Sequence, residues 1–267
     1  MARRQSRVAE RTQRRLIMFG VLILVVVLLM FGGLVYWLVN REPPLTAALC
    51  PSNGPAGHVV LLVDKTDPLS FVQREAFDTF LKNFVDREVA PGQLVSVFAL
   101  GENYQDTAKP LFEMCNPGTG ADKSELTNNL EKLHKQYQNR FYQPMLQLAT
   151  QLQTVTPGKT SPIFEMLQLI SVNAFKKHAT INGTRRLVIV SDMLHNTSAY
   201  SMYTTLPDYA TFAQTAYRYQ THVNLSGVKV KIQYLVNAPN LQTRRHIAFW
   251  EQYFVEAGGE LTSVQPF

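Results

Sequence analysis

Residues 58–64 read HVVLLVD, five large aliphatic side chains from Val59 to Val63 closed by Asp64. Apolarity that is continuous rather than alternating marks a strand covered on both faces, the situation in a parallel sheet sandwiched between helices. The same signature returns at 187–192, LVIVSD, where the apolar run stops at Ser191 and Asp192. Leu94–Leu100 reads as a second strand introduced by Pro91 and Gly92, and Lys109–Cys115 as an edge strand beside the turn Asn116-Pro117-Gly118. Val228–Val236 and Glu260–Val264 complete the set.

Between these runs the period changes. Over 70–85, Phe77, Phe80, Leu81 and Phe84 fall on one helical face, with Arg74, Glu75, Asp78 and Lys82 on the other. From Ser124, the series Leu126, Leu130, Leu133, Tyr137, Phe141 predicts a long amphipathic helix, broken or kinked near Pro144. A further helix starts at Pro162, with Ser161 placed to cap it, and another spans Arg244–Ala257 before Gly258 and Gly259. Strands alternating with helices predict an α/β, doubly wound, mostly parallel sheet, whose ligand site lies beyond the C-terminal ends of the central strands. Asp64 and Asp192 fall at that edge, and the helix start at Ser161 can reach it.

Upstream of this domain, residues 16–39 are almost uninterruptedly apolar, and residues 1–15 carry six arginines and one glutamate. A helix of this length reaches roughly 36 Å at about 1.5 Å per residue, enough to cross a hydrocarbon core. Tyr36 and Trp37 suit an interface, and the arginines predict a cytoplasmic N-terminus. A cleaved signal peptide is the competing reading; the run is longer than a signal core and is followed by Asn40, Arg41, Glu42, Pro43 and Pro44 rather than small residues. Leu49 before Cys50 is too large for lipoprotein processing. The resulting organisation is a basic tail (1–15), a transmembrane helix (16–39), a Pro- and Gly-rich stalk (40–57) and a globular domain (58–267). It predicts a single-pass bacterial inner-membrane protein with a periplasmic C-terminal domain.

The formal charge of +6 comes almost wholly from the arginine leader. The rest is nearly neutral, without the basic stripe that nucleic-acid binding requires. Cys50 and Cys115 are the two cysteines of the chain. In an oxidising compartment they predict a disulfide; in the cytosol they would be two buried thiols.

Three motifs resemble those of the von Willebrand factor type A domain, over about residues 58 to 265. The family places Asp-x-Ser-x-Ser after its first strand, Thr at the start of a later helix and Asp after its fourth main strand. Here these positions read Asp64-Lys65-Thr66-Asp67-Pro68, Ser161-Pro162-Ile163 and Ser191-Asp192. The resemblance implies a metal-ion-dependent adhesion site in which Asp64, Thr66, Ser161 and Asp192 hold magnesium or another divalent cation, with an open position for a partner's carboxylate. Oxygen donors of this kind suit a hard cation. Pro68 departs from the pattern, since it offers no side-chain oxygen, and Asp67 is the residue placed to replace it. The alternative reading of the same residues is structural: carboxylates and hydroxyls that satisfy loop and helix-start backbone donors.

His195 is a lone loop histidine, expected to be solvated, and receives no role. Asn182, Asn196 and Asn224 begin glycosylation-type triplets. A haloacid-dehalogenase-like phosphatase would need a second acid two residues after Asp64, where Thr66 stands; phosphate loops, dinucleotide fingerprints and serine elbows are absent from the sequence. The expected function is therefore non-enzymatic: an anchored protein-binding module acting as receptor, adaptor or assembly component of the cell envelope. The alternative is a scaffold of a membrane complex packing its helix through Gly32 and Gly33.

Overall fold

The computed structural model describes residues 2–39, 43–121, 129–154, 158–204 and 208–267. The chain divides into two compact units, Met1–Pro43 and Pro44–Phe267. The first holds helix α1 (Ala2–Val39). Its stretch Ile17–Leu38, with a mean hydropathy of 2.9, is long and apolar enough to cross a membrane.

In the second unit, β1 (Gly57–Asp64) is buried along its whole length, as its unbroken apolar run requires. It is followed by α2 (Phe71–Asn83), whose start is fixed by a reciprocal cap: Gln73 N–H donates to Ser70 Oγ, and Ser70 N–H donates to Gln73 Oε1. Then come β2 (Gln93–Leu100) and the short β3 (Phe112–Cys115). Helices α3 (Leu130–Gln136) and α4 (Gln143–Gln153) are joined without a break through a wide turn at Tyr137–Tyr142. The expected start of this helix at Ser124 and Leu126 lies outside the described residues, as do the stalk positions Asn40, Arg41 and Glu42. Pro144 does not break the helix. The preceding turn widens so that Gln143 N–H bonds Gln138 O, five residues back, one of the recognised ways a helix absorbs a proline.

Next, α5 (Ile163–Ile170) runs into another wide turn and leads to β4 (Thr184–Ser191). Two five-residue helices, α6 (Tyr209–Ala213) and α7 (Ala216–Gln220), precede β5 (Val228–Tyr234), α8 (Arg244–Glu256) and β6 (Glu260–Pro266).

The described residues form a six-stranded sheet in the order β3-β2-β1-β4-β5-β6, with β3 antiparallel and every other neighbour pair parallel. The expected doubly wound α/β sheet is therefore what forms. Helices cover both faces. Val59, Leu61 and Val63 meet α2 and α4 on one side, while Val60 and Leu62 meet α5 and α8 on the other. From β1 the chain winds outward through β2, then returns to the other side of β1 to build β4, β5 and β6. The reversal lies between β1 and β4, where loops diverge to opposite faces and leave a crevice.

At the other end of the strands, Cys50 and Cys115 are disulfide-bonded. Cys115 pairs opposite Leu94 at the start of β2, and its N–H donates to Ala48 O. Arg140 Nη2 donates to Ala47 O, and Leu49, fully buried at φ 59°, plugs the apolar cluster beneath β1. The segment that enters the domain is thus fastened to the strand-start end of the sheet.

Candidate functional site

Asp64 ends β1 and Asp192 follows β4, so the two carboxylates flank the crevice that the winding leaves open. Asp64 is enclosed by donors. Thr66 N–H and Oγ donate to its Oδ1 at 3.0 and 2.7 Å; Ser191 Oγ and Ser161 Oγ donate to its Oδ2 at 2.7 and 3.4 Å. Asp192 is less well served. Leu194 N–H donates to Oδ1 at 2.9 Å, whereas Oδ2 has no partner at hydrogen-bonding geometry although the residue is only 2% exposed; the Asn237 side chain lies close enough to favour the ionised form. Burial raises the Asp64 carboxyl above its ordinary range, and for Asp192 burial and then the charge of Asp64 raise it well above. Asp67 stands half-buried beside them, and its charge pushes both upward.

The four expected side chains, Asp64, Thr66, Ser161 and Asp192, therefore converge on one edge, with Asp67 at its side. Among the described residues, no three His, Cys, Asp or Glu side chains form a group able to hold a metal unaided. A cation at this edge would lean on hydroxyls as well as carboxylates. The donor set consists of hard oxygens, and the orphaned Asp192 Oδ2 is a buried oxygen lacking a positive partner, so the residues fit such an ion.

Two expectations are corrected here. Ser161 does not cap α5: Pro162 occupies the cap position, and Ser161 Oγ turns to Asp64 instead. Its place is set by a two-way backbone bridge with Asn196, Ser161 N–H to Asn196 O at 2.7 Å and Asn196 N–H to Ser161 O at 3.0 Å. The cap is supplied by His195, which is fully buried rather than solvated: its Nδ1 accepts Ile163 N–H at 3.1 Å. That bond leaves the ring proton on Nε2, facing Tyr217 Oη at 2.9 Å, and Tyr217 in turn donates to Glu165 Oε1 at 2.5 Å. Burial lowers the His195 imidazole to about 3, so it is neutral and able to accept at Nδ1.

Sequence reasoning also passed over Ser191 as a partner of Asp64 and the support beneath Asp192. Met193 adopts φ 59°, a left-handed conformation costly for a side chain of its size. Its carbonyl is held by Trp250 Nε1 and His246 Nε2, both at 3.0 Å. This clamp fixes the turn that presents Leu194 N–H to Asp192. Gln242 ties the same turn to the end of β5, donating to Asp192 O and Leu235 O.

No family model matches the chain, and no curated protein matches it. Among solved structures, the VWA domain of SpRpn10 aligns at 10% identity with a TM-score of 0.40, over 80% of this chain and 89% of that one. BatB from Bacteroides thetaiotaomicron gives 9% identity and a TM-score of 0.37, over 80% and 92%. An aerotolerance-related membrane protein from Bacteroides fragilis NCTC 9343 gives 8% and 0.35, also over 80% and 92%. Likenesses this distant leave the fold to be judged from the sheet itself.

Proposed function

We propose that this chain is a membrane-anchored, non-enzymatic protein-binding module of the von Willebrand A type. In this reading, Asp64, Thr66, Ser161 and Asp192 hold a divalent cation, with Asp67 in place of the oxygen lost at Pro68. The partner supplies an oxygen to the remaining coordination position. The observation that carries the proposal is the unpaired, buried Asp192 Oδ2 beside a second strand-terminal carboxylate at the switch point of the sheet. Leaving a buried carboxylate oxygen bare costs stability, and a cation would repay it. The module acts as a receptor, adaptor or assembly component in the cell envelope, with α1 spanning the inner membrane and the globular unit in the periplasm. Support for that placement comes from the apolar helix, its arginine leader and the disulfide.

Magnesium or manganese titrated into the chelator-treated full chain should raise its melting temperature, and Asp64→Ala should abolish the rise. At a hundredfold excess over Kd the gain is about 2.7 kcal/mol. A flat response in the wild type would remove the cation from the mechanism. Protease accessibility of the C-terminal unit in spheroplasts checks the topology, and protection from external protease would refute it.

A further inference from the structure

Leu38 closes the apolar stretch of α1 and Pro44 opens the globular unit, so the chain between them spans at most about 21 Å at roughly 3.5 Å per residue. The entering segment is held short as well. The disulfide, Cys115 N–H to Ala48 O and Arg140 Nη2 to Ala47 O fasten it to the strand-start end of the sheet. Arg140 also lines an open groove of about 440 Å³ that it shares with Lys132, Lys135, Gln136 and Asn139, along α3 and the wide turn after it. The groove therefore borders the point where the tether enters.

Its lining offers cations and N–H donors. Lys132 and Arg140 are exposed and have no ion-pair partner among the described residues, while Lys135 meets Glu131 at 2.7 Å between two well-exposed side chains. A pair so exposed is weak and yields to a competing phosphate. Behind the groove, Asp86 accepts from Tyr137 Oη at 3.3 Å and is followed by exposed Arg87, so four cations stand against two carboxylates. Two net positive charges near anionic headgroups favour contact by about fivefold each, roughly thirtyfold together. That is too little to recruit a free domain. It is enough for a tethered one, whose effective concentration at the surface is about millimolar.

We propose that the groove at Lys132, Lys135 and Arg140 docks on anionic phospholipid headgroups of the bilayer that anchors the chain. The inference rests on the reading of α1 as a membrane span, and it needs no cation at the acidic edge. Charge complementarity selects an anionic surface, and the short tether selects the bilayer, the one surface that is always within reach. Docking of this end leaves Asp64 and Asp192 at the far end of the sheet, roughly 26 Å away along the eight residues of β1. The acidic edge then stays open to a partner.

The test is lysine acylation, read by mass spectrometry, on the full chain in nanodiscs of phosphatidylcholine alone or mixed with phosphatidylglycerol. Lys132 and Lys135 should react at least about threefold more slowly in the anionic discs, and ~0.5 M NaCl should erase the difference. Lys159, exposed beside the bridge of Ser161 and Asn196 at the other edge, should react alike in both. Lys132→Glu should cut the protection of Lys135 by about half or more with no change in melting temperature, and Lys132→Arg should preserve it. Equal reactivity in the two discs, from a chain that still floats with carbonate-washed neutral vesicles, would overturn lipid docking and leave the anchor standing. A chain that does not float with those vesicles would sink the span and the docking together. Protection in neutral discs by inorganic phosphate, equal to that by anionic lipid, would reassign the groove to free phosphate, and protection there that rises with the number of chains per disc would reassign it to a second copy.

Discussion

At the strand-start end of the sheet, Glu113 gathers Lys177 at 2.7 Å, Ser96 Oγ at 3.2 Å and His178 at 3.4 Å, and His58 Nε2 lies 2.9 Å from the same serine hydroxyl. Burial alone would raise the Glu113 carboxyl, yet Lys177 and His178 hold it below its ordinary range. At the strand-finish end, Asp192 and Asp64 are raised, and one carboxylate oxygen is bare. The first end has its carboxylate answered by Lys177 and Ser96, although His178 Nε2 makes no hydrogen bond there, and is locked by a covalent bond. The second is built from more deeply buried carboxylates, Asp64 at 6% and Asp192 at 2% exposure, and is left electrically incomplete. Under the proposed function, stability and binding would be divided between opposite ends of the same strands, in keeping with the rule that function resides where local consistency is relaxed.

The largest expected effect is acid sensitivity, to which buried histidines at both ends contribute. His58 and His195 are lowered to about 3 and His246 to about 4, each chiefly by burial. Their folded values lie below the unfolded value of about 6.5, so the stability they contribute is present above that pH. It is lost as pH falls, because the unfolded chain takes up the protons first. Each histidine adds up to about 1.4 kcal/mol per pH unit, about 4 together, offset in part by Asp64 and Asp192, whose raised values act in the opposite sense. Urea midpoints measured from pH 7 to 5 should fall steeply, and His195→Gln should flatten the slope by about a third. An unchanged slope in that variant would show that His195 is protonated in the fold.

Cleaving the lock should come next. The bond closes a separation of 65 residues, and Cys50→Ser/Cys115→Ser should cost about 4 kcal/mol in the chain-entropy estimate, read as a drop in melting temperature of about 10 °C. The cation-induced rise in melting temperature should persist in that variant, since the two ends are distinct; its loss would break the division between them.

A smaller effect of opposite sign is expected at the other end. Asp192→Asn removes an unanswered buried charge and should raise the cation-free melting temperature by a few degrees while abolishing the response to magnesium. A lower melting temperature would mean that the carboxylate is already satisfied. The smallest change is expected at Lys177, half-exposed against Glu113: Lys177→Met should cost no more than about 1 kcal/mol by chemical denaturation.

Much of this was legible in the sequence because burial writes itself into composition. The runs at 59–63 and 187–190 could only be two-sided strands, and the aspartates that end them could only lie at the edge. What escaped was whatever depends on a partner distant in the chain. His195 reads as a loop residue until its Nδ1 is seen to share Ile163 N–H at the start of α5 with Ser161 O. Ser161 looks like a cap because Ser-Pro is a common helix start, and only the bridge to Asn196 shows why its hydroxyl is free for Asp64. The wide turn before Pro144 leaves no periodic trace, since five residues per bond and four give nearly the same apolar face. In LVIVSD the strand-ending aspartate carries the motif, while the preceding serine, Ser191, supplies the shortest bond to Asp64 Oδ2.

The Cys50–Cys115 bond also fixes how the domain would answer a mechanical pull. Tension applied between Pro44 and a partner seated on the acidic edge enters at the strand starts and leaves at the strand ends, so the parallel ladders of β1 are loaded in shear, with many bonds resisting at once. The stretch between the cysteines, a separation of 65 that includes β1, α2 and β2, is shorted by the bond and contributes no length. Once reduced, the same stretch could pay out roughly 230 Å of contour at about 3.5 Å per residue, turning a stiff link into a slack one.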